Sequence, residues 1–292
     1  MSKYDAPLGA SGIEWTNRTW NPTTGCTKIS QGCKHCYAEA LAMRLQRMKN
    51  PRYLDGFAVR MHADKVNEPV GWRTSEWVFV NSMSDLLHSD VDDVFLLACF
   101  ATMARRAPWH RYQVLTKRPE RWASVTAAVV DLFGAWPRNV LPGTSIENRA
   151  ALPRLDALAR AGDAETVRMI SVEPLLESLG PVPELAERLH RARIGWVITG
   201  GESGWHARPC VEDWFREVRD ACESARVPFF HKQFGGRGTT HEAKRGGTLA
   251  VLDGRLHHAM PEVWCAELSE RARPVARSTA LPLFGAASTT RT

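Results

Sequence analysis

Three of the seven cysteines in this 292-residue chain fall close together in the stretch GCTKISQGCKHCYAE, residues 25–39. Cys26, Cys33 and Cys36 have the spacing C-x6-C-x2-C. Two thiolates two residues apart can grip one metal ion or one edge of a cluster, and a third, one short loop upstream, completes a three-point mount. Disulfide pairing does not account for them, because three is odd and Cys99, Cys210, Cys222 and Cys265 are scattered singly. The N-terminal MSKYDAPLG is polar and lacks the apolar segment of a secretion signal. The expected compartment is therefore a reducing cytoplasm, where clustered thiols bind metal or do chemistry. Three protein ligands leave one position of a tetrahedral site. For zinc, His35 or a distant cysteine would fill it; for a [4Fe–4S] cluster, one iron would stay open to an exogenous ligand. Spacing alone supports the two equally.

The elements that must position this loop read as a βα series. Apolar, β-rich runs (WVFVNSMSD, YQVLTKRPE, NVLPGTSIEN, RMISVEPLL, GWVITGGESG, VPFFHKQFGG) recur at intervals of about 30 residues. Between them DDVFLLACFATMARR, RALPRLDALARAG, PELAERLHRA and VEDWFREVRDACESA carry apolar residues at the i, i+3, i+4, i+7 spacing of covering helices. A first strand near EWTNRTWNP feeds the cysteine loop and then the helix YAEALAMRLQRM. Strand followed by helix, repeated, predicts an α/β fold with a parallel sheet, here a partial (β/α)6-type TIM-like barrel over residues 1–236. Residues 50–75, rich in proline, glycine and charge, read as an insertion. Residues 237–268 read as a small C-terminal β extension with a hairpin at Asp253-Gly254, and 269–292 as a disordered tail.

In such a barrel, ligands sit over the C-terminal ends of the strands. Almost every apolar run here ends in polar residues: Asn81, Ser82, Ser84 and Asp85; Thr116, Lys117 and Arg118; Thr144, Ser145, Glu147 and Asn148; Ser171 and Glu173; Gly200, Gly201, Glu202 and Ser203; His231, Lys232 and Gln233. Singly, Ser145 or Asp85 reads as a helix cap. Together the endings predict one lined cavity.

Bulk composition narrows the partners without choosing one. The formal charge is +6, but four arginines and one glutamate from Ser269 onward contribute +3 of it, leaving +3 for the body. A nucleic-acid surface is allowed and not demanded. Trp72, Trp77, Trp109 and Trp205, near loops, are the candidates for base stacking. No apolar run approaches the roughly 18 residues of a membrane helix, so no membrane partner is expected.

The cysteine loop just after a first barrel strand resembles the radical S-adenosylmethionine superfamily, although the gap of six residues departs from that superfamily's usual three. More closely, WNPTTGCTKISQGCKHCYAE, VFVNSMSDLLH, VLTKRPER, GTSIEN, SVEPLL, VITGGESG with the following ARP, and VPFFHKQFGG resemble, in order, a phage-associated family of three-cysteine-motif proteins, the gp-thirty-seven/gp-sixty-eight-like proteins. The resemblance covers about residues 13–236 and implies a fold, a chemistry and a set of roles. Cys26, Cys33 and Cys36 would hold a [4Fe–4S] cluster whose open iron chelates S-adenosylmethionine. Electrons from a flavodoxin or ferredoxin would then give a 5′-deoxyadenosyl radical that abstracts hydrogen from substrate. His35 matches the superfamily's aromatic site near the adenine. The superfamily's glycine-glycine-glutamate follows its second strand, whereas Gly200-Gly201-Glu202 follows the sixth, so that role does not carry over. Ser82-Met83-Ser84-Asp85 instead resembles the serine-aspartate arrangement of spore photoproduct lyase, which assigns Ser84 and Asp85 to the methionine end. Lys117, Ser145, Glu147 and Asn148 would contact carboxylate or ribose. Glu173, Glu202, Lys232 and Gln233 would face the substrate, and Cys210 could donate a hydrogen atom, although a packing or helix-start role suits it better. A nucleic-acid base, in DNA or RNA, is the first substrate expectation.

Two other classes compete. A zinc-stabilised nucleic-acid-binding protein explains the thiols and the charge but not the polar strand ends. A metal-independent barrel enzyme working through a Schiff base on Lys117 or Lys232 leaves the thiols without a purpose.

Overall fold

The computed structural model describes residues 11–236 and 250–262. Seven parallel strands form one sheet in strict chain order: β1 (Arg18–Trp20), β2 (Trp77–Val80), β3 (Arg111–Thr116), β4 (Val140–Ser145), β5 (Arg168–Val172), β6 (Ile194–Gly200) and β7 (Phe229–Gln233). The sheet curls into a half-barrel. Consecutive parallel neighbours require crossovers, and helices supply them. These are α1 (Tyr37–Arg47), α2 (Asp93–Ala101), α3 (Trp122–Phe133), α4 (Arg154–Leu158), α5 (Val182–Arg191) and α6 (Glu212–Ala225).

Alternation along the strands separates two cores. Val78, Val80, Tyr112, Val114, Ile170 and Val197 face the helix layer and join its apolar faces. Trp77, Phe79, Leu141, Met169, Trp196, Ile198 and Phe230 face the inside of the curl, where Trp15 and Met260 join them. The inner cluster is aromatic, with ring centroids of Trp15 and Phe79 4.8 Å apart and Trp77 edge-on to Trp196 at 6.0 Å. Such pairs add about 0.5–1.5 kcal/mol each beyond their buried area. This plug fills the lower half of the curl and leaves the C-terminal strand ends for polar groups.

α3 lies between β3 and β4, where the sequence pattern had marked no helix. Its residues WASVTAAVVDLF interleave β-branched Val and Thr, which lower helix propensity, with three alanines that favour a helix. Trp122, Val125 and Val129 nevertheless make one buried stripe. The predicted insertion also has a task. Its Arg60–Met61 pairs antiparallel with Thr23–Thr24, directly before the cysteine loop. The C-terminal hairpin forms as expected, with Asp253 and Gly254 both left-handed (φ 51° and 73°) between Val251–Leu252 and Arg255–Leu256. The His258 ring then stacks on Phe230 at 4.4 Å, which fastens the segment to β7. The remaining expectations for 237–249 and for the tail lie outside the described residues. No helix among those described is long and apolar enough to cross a membrane.

Candidate functional site: a thiol loop on a charged rim

The cysteine loop leaves β1 and is gripped from both sides. The Gly25 N–H donates to Met83 O (3.2 Å) and the Cys26 N–H to Phe57 O (3.1 Å). Gly25 has φ +80°, and a Cβ there would stand 2.0 Å from Ala58 O, so only glycine lets the loop pass between β2 and the insertion. Cys33 closes a 3₁₀ turn, Gln31–Cys33, with its Sγ 3.5 Å from Ser30 Oγ. Cys36 sits at the cap position of α1 and makes no side-chain capping bond. All three thiols are free and half-buried.

Three charged pairs tie this loop to three different strand ends. After β3, Arg118 donates to Asp85 Oδ2 (3.1 Å), to Cys26 Sγ (3.5 Å) and to the carbonyl (3.1 Å) and hydroxyl (2.7 Å) of Thr27. After β4, the fully buried Glu147 accepts from Ser30 Oγ (2.8 Å) and from Arg154 (2.8 Å), with Lys117 Nζ 3.6 Å away. A Cβ on Gly32 would lie 2.3 Å from Glu147 Cγ, so the loop rests directly on this side chain. After β6, Glu202 takes a two-pronged contact from Arg208 (2.8 and 2.6 Å), whose other Nη2 hydrogen reaches Gln31 O (3.0 Å). The rings of His35 and His206 lie 5.9 Å apart and nearly parallel, with His35 near Glu202.

Several residues expected to contact a ligand have hydrogen-bond partners within the protein. Asp85 accepts from Leu87 N, Thr116 Oγ1, Lys117 N and Arg118, which occupies both carboxylate oxygens with protein donors. Ser84 Oγ donates to Thr23 O (2.7 Å) and accepts from Thr23 Oγ1 and Asn81. Both brace the loop. Asn148 caps the turn Arg149–Ala151 through the Ala151 N–H. Ser145 is buried at the end of β4, opposite Ser171. Glu173 and Lys232 pair across the curl at 2.5 Å. Beside them the β6–β7 register slips by one residue, so Gln233 rather than Lys232 lies opposite Gly200. Bulges of this kind re-aim side chains next to sites, and Gln233 Oε1 is buried without a hydrogen-bond partner. Cys210 packs against the helix-side core, and burial pushes its thiol up. Trp77 is buried at the start of β2, and Trp72 and Trp109 are joined by a 3.0 Å bond ahead of β2 and β3, at the opposite end from the thiols. Trp205, 73% exposed after β6, is the member of that set at the rim.

The thiols differ electrostatically. Burial pushes the Cys26 thiol up, and the charge of Asp85 adds to it, outweighing Arg118. Burial also opposes ionisation of Cys33, but hydrogen bonds from Ser30 and the loop backbone, with the charge of Lys117, carry it below the usual thiol range. Cations therefore accompany the thiols: Arg118 at Cys26, Lys117 at Cys33, and Lys28 within reach of Cys33 and Cys36. Among the described residues no group of three His, Cys, Asp or Glu side chains is already placed around one point to hold a metal ion, which bears on zinc and cluster alike. A tetrahedral zinc needs its donors about 2.3 Å from one point, whereas a cluster spreads its thiolates over separate irons. Three cysteine sulfurs on one loop fit a cluster in donor type, and the cations beside them are each paired with a carboxylate: Arg118 with Asp85, Lys117 with Glu147 and Lys28 with Glu39.

The fold and site define a parallel half-barrel carrying a three-thiol loop braced at its C-terminal mouth. The chain belongs to the DUF5131 family, proteins of unknown function, whose model matches residues 10–261. Neither a curated protein nor a solved structure matches it. Arg118, Arg154 and Arg208 are the site residues that sequence reasoning left without a role. Their one sequence signal was position, within or just after motif stretches at the strand ends.

Proposed function

We propose that this protein is a radical S-adenosylmethionine enzyme, with Cys26, Cys33 and Cys36 holding a [4Fe–4S] cluster and a low-potential flavodoxin or ferredoxin as electron source. The observation that carries the reading is the convergence of Arg118, Glu147 and Arg208, from three strand ends, on the loop that bears three uncommitted thiols. A loop with no ligand to present has no need of three charged braces, two buried and one half-buried, each of which costs desolvation. When bound, the cluster and S-adenosylmethionine supply a hydrogen-abstracting 5′-deoxyadenosyl radical. The chain's own residues hold, orient and exclude water. Arg118, Glu147 and Arg208 fix the loop, and His35 with His206 offers a flat face for an adenine. The Glu173–Lys232 pair and Gln233 present donors and acceptors from the far wall of the curl. Trp205 and the stacked histidines favour a planar substrate, for which a nucleic-acid base in DNA or RNA is the first candidate.

The test is anaerobic reconstitution with iron and sulfide, followed by dithionite and S-adenosylmethionine. The expected result is a brown protein that releases 5′-deoxyadenosine and methionine, and loses both properties in Cys26→Ala, Cys33→Ala or Cys36→Ala. Tight stoichiometric zinc without iron would overturn it in favour of a zinc-stabilised nucleic-acid-binding protein. Added DNA or RNA that leaves the cleavage rate unchanged would remove the base from consideration.

A further inference from the structure

The Arg118 guanidinium is held in a way that a simple brace does not require. Its side chain is 9% exposed. The Arg118 backbone N–H donates to Thr116 Oγ1 (2.8 Å), and that hydroxyl donates to Asp85 Oδ1 (2.7 Å). Asp85 therefore fixes Arg118 twice, once at the guanidinium and once through Thr116. On the far side both Thr27 oxygens are engaged, and the Thr27 hydroxyl also meets His88 Nε2 (2.8 Å). The guanidinium is locked at both ends, and one of its Nη1 hydrogens is left for Cys26 Sγ at 3.5 Å. The other two thiols have different neighbours: a serine hydroxyl at Cys33 and no side-chain capping bond at Cys36. The mount is thus asymmetric, with a buried cation at one sulfur.

Resting on the iron–sulfur reading, we infer that Arg118 is a positioning residue for Cys26 that also raises the reduction potential of the cluster. An N–H···S bond from a cation draws charge from a thiolate ligand and favours the more negative, reduced state. One electron from an external low-potential reductant enters the cluster, and no bond forms or breaks at Arg118. The fixed guanidinium meets that added charge without rearranging. Asp85, as the partner of Arg118, sets how much positive charge the sulfur feels.

The experiment compares wild type, Arg118→Lys and the double variant Arg118→Met/Asp85→Asn after anaerobic reconstitution. The double variant removes both charges together, because Arg118→Met alone would leave Asp85 buried and unpaired. Iron and sulfide content are measured first. The midpoint is then titrated with dithionite and mediators, without S-adenosylmethionine, using the EPR signal as readout. The double variant is expected to load iron and to be about tenfold harder to reduce against a fixed couple, about 59 mV for one electron, with Arg118→Lys between. Full loading with an unchanged midpoint overturns the inference and makes Arg118 a structural residue only. If the double variant loads no iron, the Arg118→Lys midpoint decides in the same way. If wild type loads no iron, the iron–sulfur reading itself fails and takes this inference with it.

Discussion

The two ends of the sheet treat buried charge differently. At the N-terminal end, buried polar side chains bond to backbone carbonyls. Arg168 donates to Ala161 O, Thr166 O and Asp163 O, Asn139 to Met103 O and His110 O, and Tyr112 to Ala107 O. At the C-terminal end, buried carboxylates take arginines instead: Asp85 pairs with Arg118 from the next strand end, while Glu147 pairs with Arg154 and Glu202 with Arg208 within the segment that follows their own strand. The first arrangement stitches loops to strands and satisfies carbonyls that would otherwise be orphaned. The second places ions where apolar residues would stabilise as well or better, as expected if the proposed chemistry is carried out at that end. Parallel barrels divide stability and ligand handling between their two ends in this way.

Breaking one member from each end separates the two tasks. Glu147→Ala leaves Arg154 buried without its carboxylate and removes the rest for Ser30, so it is expected to cost about 3–5 kcal/mol in denaturant unfolding and to abolish iron retention. Arg168→Ala removes three bonds of a kind that contribute about 1.5–3 kcal/mol each. It should lower stability comparably yet leave iron content per folded protein unchanged, and equal iron loss in both variants would erase the distinction. Gly32→Ala is a smaller perturbation. Its methyl overlaps Glu147 Cγ, an overpacking cost of about 1–3 kcal/mol, and iron uptake should slow in proportion. Asn148→Ala removes a cap worth about 1 kcal/mol; as a cap rather than a cofactor contact, it should leave S-adenosylmethionine cleavage at the wild-type rate.

The smallest effect is a pH dependence. Burial works against the charge on Glu202, but hydrogen bonds and charge from Arg208, with His35 nearby, hold its carboxyl below the usual range. A carboxyl depressed in the folded state contributes stability above its unfolded value of about 4.3. That contribution is lost as pH falls through the folded value, because the unfolded chain takes up the proton first. Glu202→Gln should flatten this part of the stability profile below about pH 4.3. An unchanged slope would show that the Arg208 contact contributes nothing there.

The fold was legible because strand and helix periods alternate cleanly from WVFV to PFFH. α3 escaped because its Val and Thr residues offset the helix preference of its three alanines, and its stripe emerges only against the sheet. The thiol loop and the rim were legible from local motifs. The braces were not, since Arg118 and Cys26 lie 92 residues apart and Arg208 and Gln31 lie 177 apart. Asp85 illustrates the limit best. Its position at a strand end marked it for the site, but only the folded chain shows its carboxylate filled by four internal donors. Likewise, residues 50–75 read as an insertion from their composition, whereas Phe57 and Ala58 form the wall against which Gly25 and Cys26 pass.

The proposed function requires one iron left open on a three-cysteine cluster at the mouth. EPR of the dithionite-reduced, anaerobically reconstituted protein, recorded with and without S-adenosylmethionine, addresses it directly. An open iron gives a cluster signal whose g-values move when S-adenosylmethionine is added. A signal indifferent to it, or no cluster signal from protein carrying one tightly held zinc, contradicts the proposed function.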